Sequence, residues 1–424
     1  MTHDIPDSDI EAYASVIHEH ITEDRQIKVI ATLCMLSEKQ RQRVVSYKIN
    51  DNTALCAVVL LKRKDLVEHL ITKCGANVNE RGIYRQVEPT KLFVIVPPLW
   101  CAAVTGQIDI VTILISHGAD INGWSGTEST PVRSASYKND LPMVKFLVER
   151  GANIFLTNIY GGTCLINSVG CTNLTRFLIS KGANVNDADS WGSTALHYAA
   201  KEGLVDSTRL LLQHGSEWTI VDNTKCTALM LAAYKGHHLV VQVFVDCGCI
   251  HQVQEAYALL GCHFVKEDAE KARCFWEKSS NLLTEFPVYK YISQQSSNIA
   301  KTALSSANGI DLNELFKGEI DLEDKDKLYM KALLIYIGIL GENHEDTIYE
   351  IRYRGAVYAD TNLYQKCIDL WKYAYVLLLD KKDFLENATV LVATSLTYIF
   401  CKLQIAWQDK NTEDKVWFTY RYYK

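Results

Sequence analysis

No stretch of this chain is apolar for long enough to cross a bilayer as a helix. Its best runs, Leu92–Val104 and Ala332–Leu340, fall well short of the roughly 20 residues a span needs, and Pro97-Pro98 interrupts the first. A dominant sign of charge is also missing. The 44 basic and 50 acidic residues leave a net charge of −6, without the strongly basic face of a dedicated nucleic-acid binder. The opening residues, Met-Thr-His-Asp-Ile-Pro-Asp-Ser-Asp, are acidic and unlike a signal peptide. The 13 cysteines are scattered singly, with Cys56, Cys101, Cys164 and Cys226 at helix positions. Such usage excludes a disulfide framework and suits small core residues in a reducing compartment. The expectation is a soluble protein, cytoplasmic or nuclear, with no membrane and no nucleic acid as partner.

Catalytic signatures are lacking too. The chain carries no phosphate loop, dinucleotide fingerprint, His-Glu-x-x-His or nucleophile elbow. His237-His238 is a poor chelate because adjacent side chains point apart, and Cys247-Gly-Cys249 has no partner pair at zinc spacing. Neither catalysis nor a bound cofactor or metal is expected.

What is present is repetition. At 424 residues the chain is long enough for two or three domains, and Val96–Asp120 contains one complete unit. Pro97-Pro98 opens a short helix, Thr105-Gly106 ends it, and a second helix carries Ile110, Val111, Leu114 and Ile115 on one face before His117-Gly118-Ala119-Asp120 closes it. A turn followed by two antiparallel helices, at a period near 33, is the ankyrin unit. The apolar position of the first helix recurs at Leu55, Leu99, Val132, Leu165, Leu196 and Leu229, at gaps of 44, 33, 33, 31 and 33. The closing glycine recurs at 75, 118, 151, 182, 215 and 248, at gaps of 43, 33, 31, 33 and 33. Two independent rulers share the same irregularities. The fold class is therefore all-α, an ankyrin-repeat α-solenoid.

Three regions follow from the pattern. Residues 1–50 read as divergent capping helices, 51–250 as ankyrin repeats, and 251–424 as a tetratricopeptide-like helical region. The excess in the first gap falls between Asn79 and Val96, on the projecting side where partners bind. It is a candidate recognition loop, or else a loop packed on its neighbour. Thr130, Thr163, Thr194 and Thr227 are placed to cap first helices, and His197 reads as a structural bond to neighbouring turns. After Gly248 the period stops. Leu260-Gly261-x-x-Phe264 with Ala272 and Trp276, and Arg354-Gly355-Ala-Val-Tyr358 with Cys367 and Trp371, approximate the tetratricopeptide pattern. Between them, Gln294–Asp326 reads as a linker containing a short helix, and Tyr329–Leu340 as an amphipathic helix.

Several stretches together carry a family resemblance. They are Pro-Pro-Leu-Trp100-Cys-Ala-Ala, Ser129-Thr-Pro-Val-Arg133, Asn-Ile-Tyr-Gly-Gly-Thr163-Cys164-Leu165 and Ala258-Leu-Leu-Gly261. The most specific runs from Leu340-Gly341-x-x-His344-x-Asp346-Thr through Ile351-Arg-Tyr-Arg-Gly-Ala-Val-Tyr-Ala-Asp360 to Cys367-Ile-x-Leu-Trp371. In this order, from about residue 10 to 405, they resemble the Fem family, whose founder is a nematode feminization protein. The resemblance implies a non-catalytic substrate receptor of a cullin-RING ubiquitin ligase. Its ankyrin array and tetratricopeptide-like segment would hold the extreme C-terminal tail of a target protein, often one ending in Arg. Full-length members continue into more repeats and a box that binds Elongin B/C and the cullin. That Leu-x-x-x-Cys box is absent here, since Leu396 and Cys401 are five apart. The chain is thus a fragment, a short isoform, or a receptor without ligase coupling; the alternative function is a ligase-independent ankyrin scaffold.

The resemblance places Ser129 and Arg133 at tail-binding positions, and Arg133 suits a terminal carboxylate through a bidentate pair. Lys138 stands where some relatives carry an acid that grips an Arg side chain, and the nearest other acid is Glu88, so preference for a terminal Arg is not expected. Trp100, Ser129, Arg133, Tyr137 and Lys138 are expected to meet on one concave face as the peptide-binding site. The plainer alternative pairs Arg133 with Asp140.

Overall fold

Every position of the first ruler lies in the core: Leu55, Leu99, Val132, Leu165, Leu196 and Leu229 are each at most 2% exposed. The second ruler has a conformational cause. Gly75, Gly118, Gly151, Gly182, Gly215 and Gly248 all have positive φ, between 67° and 90°, the left-handed turn that ends a helix and that a Cβ disfavours. The structure, a computed structural model, describes residues 6–85, 93–249, 252–281, 324–380, 392 and 394–397. Glu88, Cys401 and most of 294–326 lie outside the described residues.

The chain divides into two compact units, one of Met1–Ala199 with Asp206–Glu217, the other of Ala200–Val205 with Trp218–Lys424. In the first, α1 (Asp7–Thr22), α2 (Gln26–Cys34) and α3 (Glu38–Ser46) precede the repeats. Ser37 and Gln40 form a reciprocal capping box that starts α3. The helical pairs that follow are α4 (Ala54–Leu60) with α5 (Lys64–Thr72), α6 (Pro98–Val104) with α7 (Ile108–Ser116), and α8 (Pro131–Tyr137) with α9 (Leu141–Glu149). After them come α10 (Cys164–Asn167) with α11 (Thr172–Ser180), and α12 (Ala195–Lys201) with α13 (Val205–Gln213). The Thr53, Thr130 and Thr163 hydroxyls accept the backbone N–H groups of Cys56, Arg133 and Ile166, capping their helices. Thr194 donates its N–H to His197 Nδ1 at 3.1 Å, so His197 is a structural bond. The repeat of 31 residues has its deficit in α10, which is four residues long where α6 and α8 have seven.

The insertion after Asn79 is a ribbon, not a simple loop. Strands β1 (Gly82–Arg85) and β2 (Phe93–Val96) pair antiparallel, with Tyr84 opposite Val94. Val96 is buried while Phe93 and Ile95 face outward, so the β-branched run supplies a strand anchored by one side chain.

The second unit contains α14 (Ala228–Tyr234), α15 (His238–Asp246), α16 (Val253–Phe264), α17 (Ala269–Ser280), α18 (Lys325–Leu340), α19 (Glu345–Asp360) and α20 (Tyr364–Asp380). Two of its helix pairs are locked in the same way. Trp276 Nε1–H donates to the Ala258 carbonyl at 3.0 Å, and Trp371 Nε1–H to that of Arg352 at 2.9 Å. The indoles lie flush against Gly261 and Gly355, where any Cβ would overlap the ring. No helix among the described residues is long and apolar enough to cross a membrane.

Candidate functional site

The residues singled out from sequence come together. Trp100, Ser129, Arg133, Tyr137 and Lys138 all line one cleft of about 280 Å³ in the first unit. Helix α8 places three of them: Arg133 and Tyr137 are one turn apart on one face, and Lys138 ends the helix by donating its N–H to the Ser134 carbonyl. Trp100 comes from α6, buried and packed edge-on against Tyr84 with ring centroids 5.4 Å apart. Its indole Nε1–H meets no acceptor among the described residues.

Arg133 is the centre of the site. Its Nε–H donates to the Gly162 carbonyl at 2.7 Å and its Nη1–H to Ser129 Oγ at 2.8 Å. Burial lowers its pKa from the ordinary value, but a guanidinium stays charged. Asp140 does not pair with it. That carboxylate caps α9 by accepting the Met143 N–H at 3.0 Å, and among the described residues no carboxylate bonds to Arg133. Ser129 Oγ also lies 2.9 Å from Ser134 Oγ, and Ser125 Oγ accepts the Ser129 N–H at 3.1 Å. The cleft therefore offers two cations, a cluster of hydroxyls and three aromatic side chains, and among the described residues no acid lines it.

Some contributors have weak signals in sequence. Ser134 is buried one helical turn from Thr130 and reads like any polar helix residue. Gly162 contributes by having no side chain: a Cβ there would come within 2.5 Å of Arg133 Nη2 and 3.1 Å of Asn158 Oδ1. Asn158 Oδ1 accepts the Gly162 N–H at 2.8 Å and holds that turn. Tyr84 had a signal, since the mixed aromatic and charged insertion already pointed to recognition.

A second arrangement has the order of a nucleophile triad without its chemistry. Cys226 Sγ lies 3.4 Å from His344 Nε2, and His344 Nδ1 lies 3.5 Å from an Asp346 carboxylate oxygen. Nδ1 also accepts the Asp346 backbone N–H at 3.3 Å, so the ring proton resides on Nε2 and no base faces the thiol. Burial pushes the thiol up to about 11. His344 is a helix cap.

Comparisons agree with this architecture. Family models described as ankyrin repeats match residues 99–148 and 163–255. A Drosophila melanogaster protein named as a fem-1 homologue is 33% identical over 392 residues, 91% of this chain and 57% of its own length. The Rattus norvegicus fem-1 homologue A is 29% identical over 396 residues, 82% of this chain and 59% of its own length. The Homo sapiens fem-1 homologue C is 34% identical over 183 residues, 42% of this chain and 29% of its own length. The chain spans less than two thirds of the length of these relatives. A protein-binding repeat protein by its ankyrin units and its relatives, the chain belongs to the Fem family.

Proposed function

We propose that this protein captures the C-terminal tail of other proteins, with the terminal carboxylate seated on Arg133 and Ser129. The observation that carries the reading is the Arg133 guanidinium, fixed by a carbonyl and a hydroxyl and bonded to no carboxylate among the described residues. A half-buried cation without a counter-ion carries a desolvation cost. A peptide carboxylate offsets that cost with charge-assisted hydrogen bonds, Lys138 adds a second cation, and Trp100 and Tyr84 pack against the last side chains. Lys138 repels a terminal Arg, so the preferred final residue is uncharged.

In the cell, the resemblance supports a substrate receptor of a cullin-RING ubiquitin ligase, acting in the cytoplasm or nucleus, and coupled through Elongin B/C only where the full-length protein carries the box that these residues lack. Titration of free-acid and C-terminally amidated peptides tests the capture, and equal affinities overturn it. Co-purification with Elongin C and a cullin tests the coupling. A chain that binds tails but recovers neither protein is a ligase-independent scaffold.

A further inference from the structure

Burial around the Arg133 cleft is uneven. Ser125, Ser129 and Ser134 in its lining are buried, whereas Tyr137 and Lys138, at the end of α8, are exposed. The cleft is closed near the start of α8 and open at its end, so a peptide whose carboxylate lies on Arg133 leaves past Lys138. That lysine has no other task. The Ser134, Ala135 and Ser136 carbonyls that end α8 already accept the backbone N–H groups of Lys138, Asp140 and Asn139, so its ammonium is not needed as a cap. Asp140, the nearest acid in sequence, caps α9, and Lys138 makes no ion pair among the described residues. The cavity beside α1, of about 670 Å³, is lined by His18 and Glu19 and by no Lys or Arg among the described residues. Two cations with no acid are therefore a property of the Arg133 cleft.

One terminal carboxylate neutralises only one of those charges. The other leaves a positive potential at the open end, where it selects what the tail carries next. The spacing is set by α8. Arg133 and Lys138 are five residues apart, which is about 7.5 Å along a helix at roughly 1.5 Å per residue. An extended peptide covers that distance in about two residues, at roughly 3.3 Å each. Resting on the tail-capture reading, we infer that the captured tail carries an acidic side chain, Asp or Glu, one or two residues before its last, and that Lys138 is the residue that reads it. The tail then ends in an uncharged residue preceded by an acid, and its two anions match the two cations of the cleft.

The test is selection of random C-terminal decapeptides by the whole chain, from free-acid and amidated libraries. Wild type is expected to enrich Asp or Glu at one of the two positions before the last. A selected peptide is then titrated with Glu, Ala or Lys at that position against wild type, Lys138→Met and Lys138→Glu. Lys138 is exposed, so both substitutions leave the fold intact. In wild type, Glu should bind about threefold to fivefold more tightly than Ala, the upper range for an exposed ion pair. Lys138→Met should remove that ratio, and Lys138→Glu should invert the order so that the Lys peptide binds best. Enrichment with no acidic position, an acidic gain spread evenly over all positions, or a gain that survives Lys138→Met overturns the inference. Failure of tail capture shows separately, as equal enrichment from the free-acid and amidated libraries. A selection that enriches nothing counts against both.

Discussion

Arg133 donates from Nη1 to Ser129 Oγ at 2.8 Å, joining the body of α8 to the residue just before its cap. Ser129 thereby turns an acceptor lone pair toward the guanidinium and keeps its own proton for Ser134 or for a ligand. Cation and hydroxyl are aligned before any peptide arrives, which lowers the ordering cost of binding.

Arg133→Ala should accordingly weaken a free-acid peptide by about 2–5 kcal/mol, the range for losing one partner of a desolvated pair. The amidated peptide should be affected far less by the same substitution. Arg133→Lys keeps the charge but loses the fork that reaches both Gly162 and Ser129, so it should recover only part of the affinity. Calorimetric titration of both peptides against the three proteins checks this, and equal losses for acid and amide would refute it.

Gly162→Ala is the second test. The added methyl would meet Arg133 Nη2 at 2.5 Å, so the guanidinium must shift or surrender its bond to the 162 carbonyl. Tail affinity should fall toward that of Arg133→Ala, while the melting temperature moves little because the residue lies in a finger turn. Normal affinity would show that Arg133 binds its ligand from another rotamer.

The repeat frame was legible in sequence because each ruler reports one physical constraint. Leu99 and its counterparts mark burial, and Gly118 and its counterparts mark a left-handed backbone. The constraint is hidden where another residue meets it. Asn139 takes the positive φ, 56°, that Gly106 takes between its own pair of helices, and only the structure shows the equivalence. The ribbon escaped because Phe93-Val-Ile-Val96 is apolar throughout, which conceals an alternating pattern, while its partner strand opens on Gly82. Of the site, Ser129 and Arg133 were reachable through family resemblance. Gly162 was not, since its part is to leave room.

In the second unit, the matched Gly–Trp contacts predict matched sensitivities. Trp276→Phe and Trp371→Phe each delete one hydrogen bond to a helix carbonyl and should cost about 0.5–1.5 kcal/mol, because each carbonyl loses its second bond and keeps its helical one. Gly261→Ala and Gly355→Ala force a methyl into the indole and should cost about 1–3 kcal/mol through overpacking. Urea melts check all four, and a neutral Gly355→Ala would mean that α19 and α20 are not packed as described.

Stability should also fall as pH drops below neutrality. Burial lowers the pKa values of His18 and His263 in the folded chain, whereas an unfolded His titrates near 6.5. Below about 6.5 the unfolded chain binds protons that these two folded sites refuse, so the stability their neutral forms contribute is present above that pH and lost on acidification. His263 Nδ1 lies 3.1 Å from the Tyr234 carbonyl, a bond that partly opposes the shift, which leaves His18 as the cleaner probe. His18→Asn should flatten the dependence of melting temperature on pH between about 7.5 and 5.5, at the expense of some stability at the upper end. An unchanged slope in that variant would show that His18 takes up its proton without cost in the folded protein, through solvent access to the α1 cavity.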